Sequence, residues 1–367
     1  MQIGYLVHDL TDAAVKRRVK MLQIAGLGVV QAGFVREQKD WSALPSSALI
    51  LGLTQDAALL QRAVSVLQNA LFSQALIRHF ADCDMIIARN LECLILAHCV
   101  AKGRPVVYEC LDIHRALLGT SAPHRFIQAV EGHLLRKTKA LITSSPGFVT
   151  HYFSKRRDCP KEIILLENKV LDLANAGMPS VISQRQRPLV IGWFGMLRCR
   201  KTLQLFLDLV ARGNGQVKIL IAGKPSPAQL PDFEAALTGQ PDIHFHGPYV
   251  PADLPALYGQ CHFAWCIDWY EEGQNSAWLL PNRLYEATAH GSIPIALANV
   301  ETGAWLLRHH VGLVLEAGGA NILERLLVLT DHDIEKLRSD LATIPAQDLL
   351  TSQEECFALR AKLEQLR

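Results

Sequence analysis

Short apolar runs alternate along this chain with stretches in which apolar positions recur every three or four residues. That alternation is the pattern of parallel strands, buried on both faces, joined by amphipathic helices. In the first half it predicts strands over Ile3–His8, Gly28–Gly33, Ala48–Leu53, Met85–Ala88, Pro105–Glu109, Ala140–Thr143 and Glu162–Leu166. Thr11 is placed to cap a first helix running to about Ala25, with Val15, Val19 and Leu22 inward and Gly26 as its terminator. In the second half, strands fit Leu189–Phe194, Val217–Ala222, His244–His246, Phe263–Cys266, Ser292–Ala296 and Val311–Leu315. Helices there fit Thr202–Arg212, Pro231–Leu237, Pro251–Tyr258 and Pro281–His290. Between Glu167 and Arg187 the periodicity lapses into the small and polar stretch ANAGMPSVISQRQRP, suited to a hinge. The expected fold class is therefore α/β, with two doubly wound, Rossmann-like domains facing across a cleft. Their expected bounds are 1–166 and 188–345, with a linker at 167–187. The closing segment 346–367 is expected to form a charged amphipathic helix that either returns to the first domain or caps the second. No internal repeat is evident.

Composition narrows this picture. A length of 367 residues exceeds one ordinary core, and half of the residues are hydrophobic. No apolar run is long enough to span a bilayer, and Met1 to Leu10 has the pattern of a strand rather than a signal peptide, so a cytosolic protein is expected. The nine cysteines lack CxxC or zinc spacing, which implies reduced, partly buried thiols. The net charge of +2 conceals an asymmetry: residues 1–165 carry 20 Lys and Arg against 13 Asp and Glu, and residues 166–367 carry 17 against 22. Most of the excess falls in 101–165, including Arg136, Lys137, Lys139, Lys155, Arg156 and Arg157. Such a face suits an anionic lipid surface or a pyrophosphate-linked acceptor, and equally a plain solvated helix face. Nucleic acid is not expected, because the charges lack interleaved aromatics.

The most informative segment is Trp278–Ala296, WLLPNRLYEATAHGSIPIA. Pro281 suits a helix start, and Gly291 followed by Pro294 suits its end. On that helix Arg283 and Glu286 stand side by side near a positive N-terminus, favouring an anion such as pyrophosphate with a carboxylate beside it for a sugar. A surface Arg–Glu pair is the plain alternative. Upstream, IGWFGMLRCRKTL runs from a strand through Gly195 into a helix, with Arg198, Arg200 and Lys201 in the turn, where glycine admits a phosphate and the cations neutralise it. Neither GxGxxG nor GxxxxGK[ST] is present, which argues against nicotinamide and ATPase chemistry. Asp268, Glu271, Glu272, Gln274, Asn275 and Ser276 form a polar loop suited to sugar hydroxyls, and Asn282 opens the following helix. In the first half, YECLDIHRALLG places Glu109, Asp112 and His114 near a strand end. Asp112 is a candidate general base and His114 a candidate ligand for sugar or phosphate; a helix cap and a surface imidazole are the alternatives. His8 and Asp9 end the first strand at the same edge, lining the cleft or forming a turn.

The order GMLRCRK, IAG (Ile221–Gly223), HFHGPYVPADLPALY, PNRLYEATAHGSIPIA and VGLVLE (Val311–Glu316) resembles the nucleotide-sugar domain of GT-B glycosyltransferases near families 1 and 4. It covers Pro188 to about Thr343, and the first half fits the acceptor domain more loosely. The wording PNRLYEA is most similar to bacterial exopolysaccharide glycosyltransferases, including those of succinoglycan type. The resemblance implies donor diphosphate binding by Lys201 with Arg198 or Arg200, since Met196 stands at the usual arginine position, and with Arg283 adding charge. It also implies ribose binding by Glu286. Trp278 replaces the first glutamate of the E-x7-E pair, which passes that role to Glu271 or Glu272, with Asn275 and Asn282 on the donor-sugar side. The implied activity is hexose transfer from a nucleoside diphosphate sugar, in first place a UDP-sugar, to a lipid-linked oligosaccharide. The enzyme would be peripheral on the inner face of the cytoplasmic membrane and would need no cofactor or metal. A sugar-nucleotide epimerase and a non-catalytic nucleotide-sugar-binding subunit share the same resemblance.

Overall fold

The computed structural model describes residues 1–36, 44–54, 74–172, 187–316 and 322–367. The hinge stretch read from the sequence lies outside the described residues except for its last two, Arg187 and Pro188. The chain divides into two compact units, Met1–Glu167 with Ser352–Arg367, and Asn168–Thr351.

The first unit contains β1 (Gln2–Val7), α1 (Ala13–Ile24), β2 (Gly28–Arg36), β3 (Leu49–Thr54), α2 (Gln74–His79), β4 (Met85–Arg89), α3 (Leu91–Val100), β5 (Val106–Cys110), α4 (Ala122–Leu135), β6 (Ala140–Thr143), α5 (Pro146–His151) and β7 (Glu162–Leu165). All strand pairs are parallel, in the order β3-β2-β1-β4-β5-β6-β7. Strands β4 and β5 are buried along their whole length, as continuous apolar runs in a sheet covered on both faces must be. Helix α1 is capped by Asp12, whose carboxylate accepts from the Ala14 amide, and not by Thr11. Thr11 instead donates through its amide and hydroxyl to the carboxylate of Asp9, which is fully buried and lies 3.2 Å from Nε of Arg36. Asp9 therefore builds the turn after β1. Gly26, at φ +74°, ends α1.

The second unit contains β8 (Val170–Leu171), β9 (Leu189–Leu197), α6 (Arg200–Gly213), β10 (Val217–Pro225), α7 (Phe233–Leu237), β11 (Ile243–Gly247), α8 (Leu254–Gly259), β12 (Phe263–Trp265), α9 (Asn275–Trp278), α10 (Asn282–Ala289), β13 (Ile293–Leu297), α11 (Glu301–His309), β14 (Leu313–Leu315), α12 (Ile322–Leu327), α13 (Asp331–Leu341), α14 (Ala346–Leu349) and β15 (Leu350–Thr351). Its parallel sheet runs β11-β10-β9-β12-β13-β14, and β8 pairs with β15 beside it. Helix α6 forms because its apolar residues fall on one stripe, with Leu203, Phe206, Leu209 and Val210 buried. Phe206 meets Trp193 of β9 and Trp265 of β12 edge to face, at centroid distances of 5.8 and 5.0 Å, which fixes α6 across the sheet centre. Asn214, left-handed at φ 46°, closes the helix.

The last helix, α15 (Gln353–Glu364), belongs to the first unit and packs against α1; Arg360 Nη1 donates to the Ala25 carbonyl at 3.1 Å. The segment 346–351 stays with the second unit as α14 and β15.

Candidate functional site

Both sheets have the doubly wound order in which the connection reverses direction once, between β1 and β4 in the first unit and between β9 and β12 in the second. Ligands of such sheets bind outside the carboxyl ends of the strands at that point of reversal. In the second unit, β9 leads there through Gly195 and β12 leads to the loop starting at Cys266.

Two glycines shape this edge. Gly195 has φ +115°, and a Cβ there would meet nothing within 4 Å, so its backbone borders open space. Its sheet partner Gly223, at φ +139°, would place a Cβ 1.8 Å from the Gly195 carbonyl oxygen. Any side chain at 223 would push the β9 turn out of place.

The cations after Gly195 separate into two directions. Arg198 reaches toward the loop after β12, with Nη2 at 3.7 Å from Asp268 and its guanidinium 4.3 Å from the Tyr270 ring centroid. Lys201 follows it, its ammonium 2.8 and 2.9 Å from the two Glu272 oxygens and 4.6 Å from the Trp269 ring centroid. Arg200 turns the other way, toward the carbonyl of Gln229 at 3.5 Å. Asp268 also accepts from the Tyr270 amide at 2.8 Å, and Glu271 anchors the turn by donating its amide to Ser276 Oγ at 2.9 Å. The loop is therefore pinned at both ends while its carboxylates meet the cations. Asn275 is buried at the start of α9, and Trp278, at its end, is half-buried.

Helix α10 begins after Pro281, which is its cap, with Asn282 exposed at the first turn. Pro294 lies within β13, and Gly291, at φ +71°, turns the chain from helix to strand. Arg283 and Glu286 share neighbours on the sheet side. The Tyr258 hydroxyl donates to Glu286 at 3.4 Å. Burial pushes the Tyr249 phenol well up; the Glu286 carboxylate adds to that and the Arg283 guanidinium opposes it. Burial likewise pushes the Cys266 thiol up to about 12, again with Arg283 opposing and Glu286 adding. Arg283 Nε is buried with no hydrogen-bond partner among the described residues. A buried guanidinium nitrogen in that state has unused capacity for an acceptor.

In the first unit, the edge is more structural than the sequence suggests. Glu109 is fully buried and receives Arg18 Nε at 2.6 Å, Arg89 Nε at 2.8 Å and the Tyr5 hydroxyl at 2.5 Å. Burial raises its pKa, but Arg89 and Arg18 outweigh that and hold the carboxyl at about 2. Glu109 thus joins α1, β1, β4 and β5 and offers nothing to a ligand. Asp112 is exposed in the turn after β5. His114, not Asp112, supplies the cap: its Nδ1 accepts from the Ala116 amide at 3.1 Å, starting the short 3-10 turn Arg115–Leu117. His8 lies 3.7 Å from Asp12, and its pKa is lowered by burial against the pull of Asp12.

Parts of the basic face are also internally balanced. Arg156 pairs with buried Glu131 at 3.1 Å, and Arg136 pairs with Asp158 at 2.5 Å. Lys137, Lys139, Lys155 and Arg157 are exposed.

Comparison with known proteins places the chain. It is 40% identical over 338 residues to the succinoglycan biosynthesis protein ExoL of Rhizobium meliloti (strain 1021), spanning 89% of this chain and 84% of that one. The chain belongs to the ExoL family. No protein-family model matches it. Among solved structures, it is similar to the sucrose-phosphate synthase tll1590 of Thermosynechococcus elongatus, with a TM-score of 0.75 at 14% identity, covering 100% of this chain and 98% of that one. It is also similar to Anabaena Alr3699/HepE in complex with UDP and glucose, with a TM-score of 0.71 at 16% identity, covering 100% and 99%. The fold of this ExoL relative is accordingly that of the GT-B glycosyltransferases. Sequence reasoning did not single out Tyr249, Tyr258 or Trp269, although all three lie against the cations and carboxylate that it did find. The signal was present as aromatics inside the quoted segments, but aromatics in such positions are ordinary core residues unless their neighbours are known.

Proposed function

We propose that this protein transfers a hexose from a nucleoside diphosphate sugar, in first place a UDP-sugar, to a lipid-linked oligosaccharide during exopolysaccharide assembly. The observation that carries this reading is the gathering of Arg198, Lys201, Arg283 and Glu286 around the reversal point of the second sheet. In this reading Lys201 and Arg198 exchange their carboxylate partners for the diphosphate, Arg283 adds its unused Nε, and Glu286 holds the ribose hydroxyls. Arg200, aimed at Gln229, stands at the rim of the same site. Glu271, Glu272, Asn275 and Asn282 border the donor sugar. The naming of the ExoL relative for succinoglycan biosynthesis and the UDP and UDP-glucose complexes of HepE support this choice of donor and pathway.

The reaction breaks the bond between the anomeric carbon and the diphosphate oxygen and forms one to an acceptor hydroxyl. Negative charge grows on the leaving diphosphate, and preorganised cations stabilise it there; the reading assigns this work to the protein and not to a metal. The acceptor proton goes to Asp112 if the configuration inverts, or to a diphosphate oxygen if it is retained. His114, which caps the turn after β5 through Nδ1, is the candidate on this side for an acceptor sugar or phosphate. No described helix is long and apolar enough to cross a membrane. We place the enzyme on the inner face of the cytoplasmic membrane through its basic first unit, where Phe126 of α4 is 69% exposed beside Arg125.

The test is release of UDP from UDP-hexoses with and without a lipid extract carrying the acceptor. Transfer predicts release and labelled lipid only with the extract. Isomerisation of the donor without transfer would establish the epimerase instead, and UDP binding with no turnover would establish a binding subunit.

A further inference from the structure

At the amino-terminal edge of the first sheet, away from the donor-site residues and from Asp112 and His114, lies a pocket of about 410 Å3 that takes in Lys137 and Lys139 of the basic face. Its lining includes Lys102, Arg104, Lys137, Lys139, Arg367 and His98, and no Asp or Glu side chain among the described residues. It forms where α3 and α4 end and β5 and β6 begin, so four of the five permanent cations come from the two helix-to-strand turns.

A basic residue at a helix C-terminus has an ordinary use, because it meets the last carbonyls. Arg104 serves that use fully, donating to the carbonyls of Val100, Ala101 and Phe80. Arg367 is held by Asp84 at 2.5 Å. Lys102, Lys137 and Lys139 are different: all three are exposed around the pocket. Among the described residues Lys137 reaches the His133 ring, 2.9 Å away, which cannot offset its charge. The local potential registers on His98, whose pKa is lowered by burial and further by Lys137 and His133. Like charges around a concavity repel one another and focus a field that an anion relieves.

We propose that this pocket is a binding site for a phosphate-bearing anion, separate from the reaction site. The separation follows from the sheet. Val106 lines the pocket and Cys110 ends the same strand beside the Asp112 turn, so the two places lie about 13 Å apart at the usual rise per residue. An anion held here cannot be the group that reacts; it anchors or regulates the protein. Its phosphate belongs either to a soluble compound or to a lipid headgroup.

The test is a calorimetric titration with inorganic pyrophosphate in saturating UDP, which keeps the donor site filled. The wild-type protein is expected to bind, more weakly as salt is raised, and Lys137→Glu/Lys139→Glu to bind at least tenfold more weakly. Lys137→Arg/Lys139→Arg is expected to retain binding, and UDP affinity to be equal in all three. A failure of UDP to bind would appear in the UDP titration itself and would contradict the donor-site reading alone. Flotation with phosphatidylcholine vesicles, with and without phosphatidylglycerol, separates the sources. Flotation that needs phosphatidylglycerol and is lost in the Glu variant supports a headgroup; pyrophosphate binding without flotation supports a soluble ligand. If neither probe distinguishes the wild type from the Glu variant, the site does not exist.

Discussion

Glu109 shows how far a single residue's role depends on partners distant in sequence. Its position at a strand end suggested access to a ligand, yet Arg18, 91 residues away, and Arg89, 20 away, meet over it in a closed network. No local pattern signals that meeting. Glu109→Gln leaves two guanidinium groups without their shared charge, and we expect a loss of about 3–5 kcal/mol at pH 7 by urea denaturation. The pH dependence follows from a folded pKa of about 2 against an ordinary 4.5. The folded state holds the ionised form more tightly, so this stabilisation is complete above about pH 4.5 and fades as the pH falls toward 2. The stability gap between wild type and Glu109→Gln should therefore narrow over that window, and a gap constant with pH would show that the ionised carboxylate contributes nothing. The places of Gly195, Lys201 and Glu286 in the fold follow from short strand-turn-helix segments that the sequence marks, while the ligand roles expected of Lys201 and Glu286 come from the family resemblance. The choice between Arg198 and Arg200 was not, because only the folded turn shows that one faces Asp268 and the other Gln229.

At the scale of elements, every strand of both large sheets overlaps a strand read from the sequence; continuous burial leaves a continuous apolar signature in inner strands such as β4, β5 and β13, whereas the edge strands β7 and β11 are only partly buried. Ends were less legible: Asp12 and Thr11 are both good caps, and the folded turn separates them, since Thr11 donates to Asp9 while Asp12 accepts from the Ala14 amide. The short pairing of β8 with β15 had no sequence signal, being only two residues in each strand. The contact of Gly195 with Gly223 joins two elements at the site, and Gly223→Ala tests it. With a Cβ 1.8 Å from a carbonyl oxygen, the variant is expected to lose thermal stability and to weaken UDP binding together, the latter at least tenfold by calorimetry. A stable variant with normal UDP affinity would detach the β9 turn from donor binding. The loop after β12 carries a second prediction. Glu272 holds Lys201 through an exposed ion pair, an interaction worth at most about 1 kcal/mol. Glu272→Gln is expected to raise UDP affinity by up to about fivefold while lowering the preference for UDP-hexose over UDP. An unchanged preference would remove Glu272 from the sugar subsite.

For the whole molecule, the two sheets share one strand order, so the same rule of parallel sheets points to the carboxyl edge in each unit. The chain's course between them was only partly legible: 168–172 and 346–351 pair within the second unit, and Ser352–Arg367 belongs to the first. A charged amphipathic helix can be recognised from sequence, but the surface that it covers is set by the apolar face left open elsewhere. The account as a whole rests on the cations of the second unit gripping a diphosphate while Glu286 holds a ribose. The most direct measurement is calorimetric binding of UDP and UMP to Lys201→Ala, Arg283→Ala and Glu286→Ala. Loss of a charged hydrogen bond costs about 1.5–3 kcal/mol. The account therefore predicts at least tenfold weaker UDP binding in all three variants, with UMP binding weakened to the same extent only in Glu286→Ala. UDP affinity unaltered in all three would contradict it.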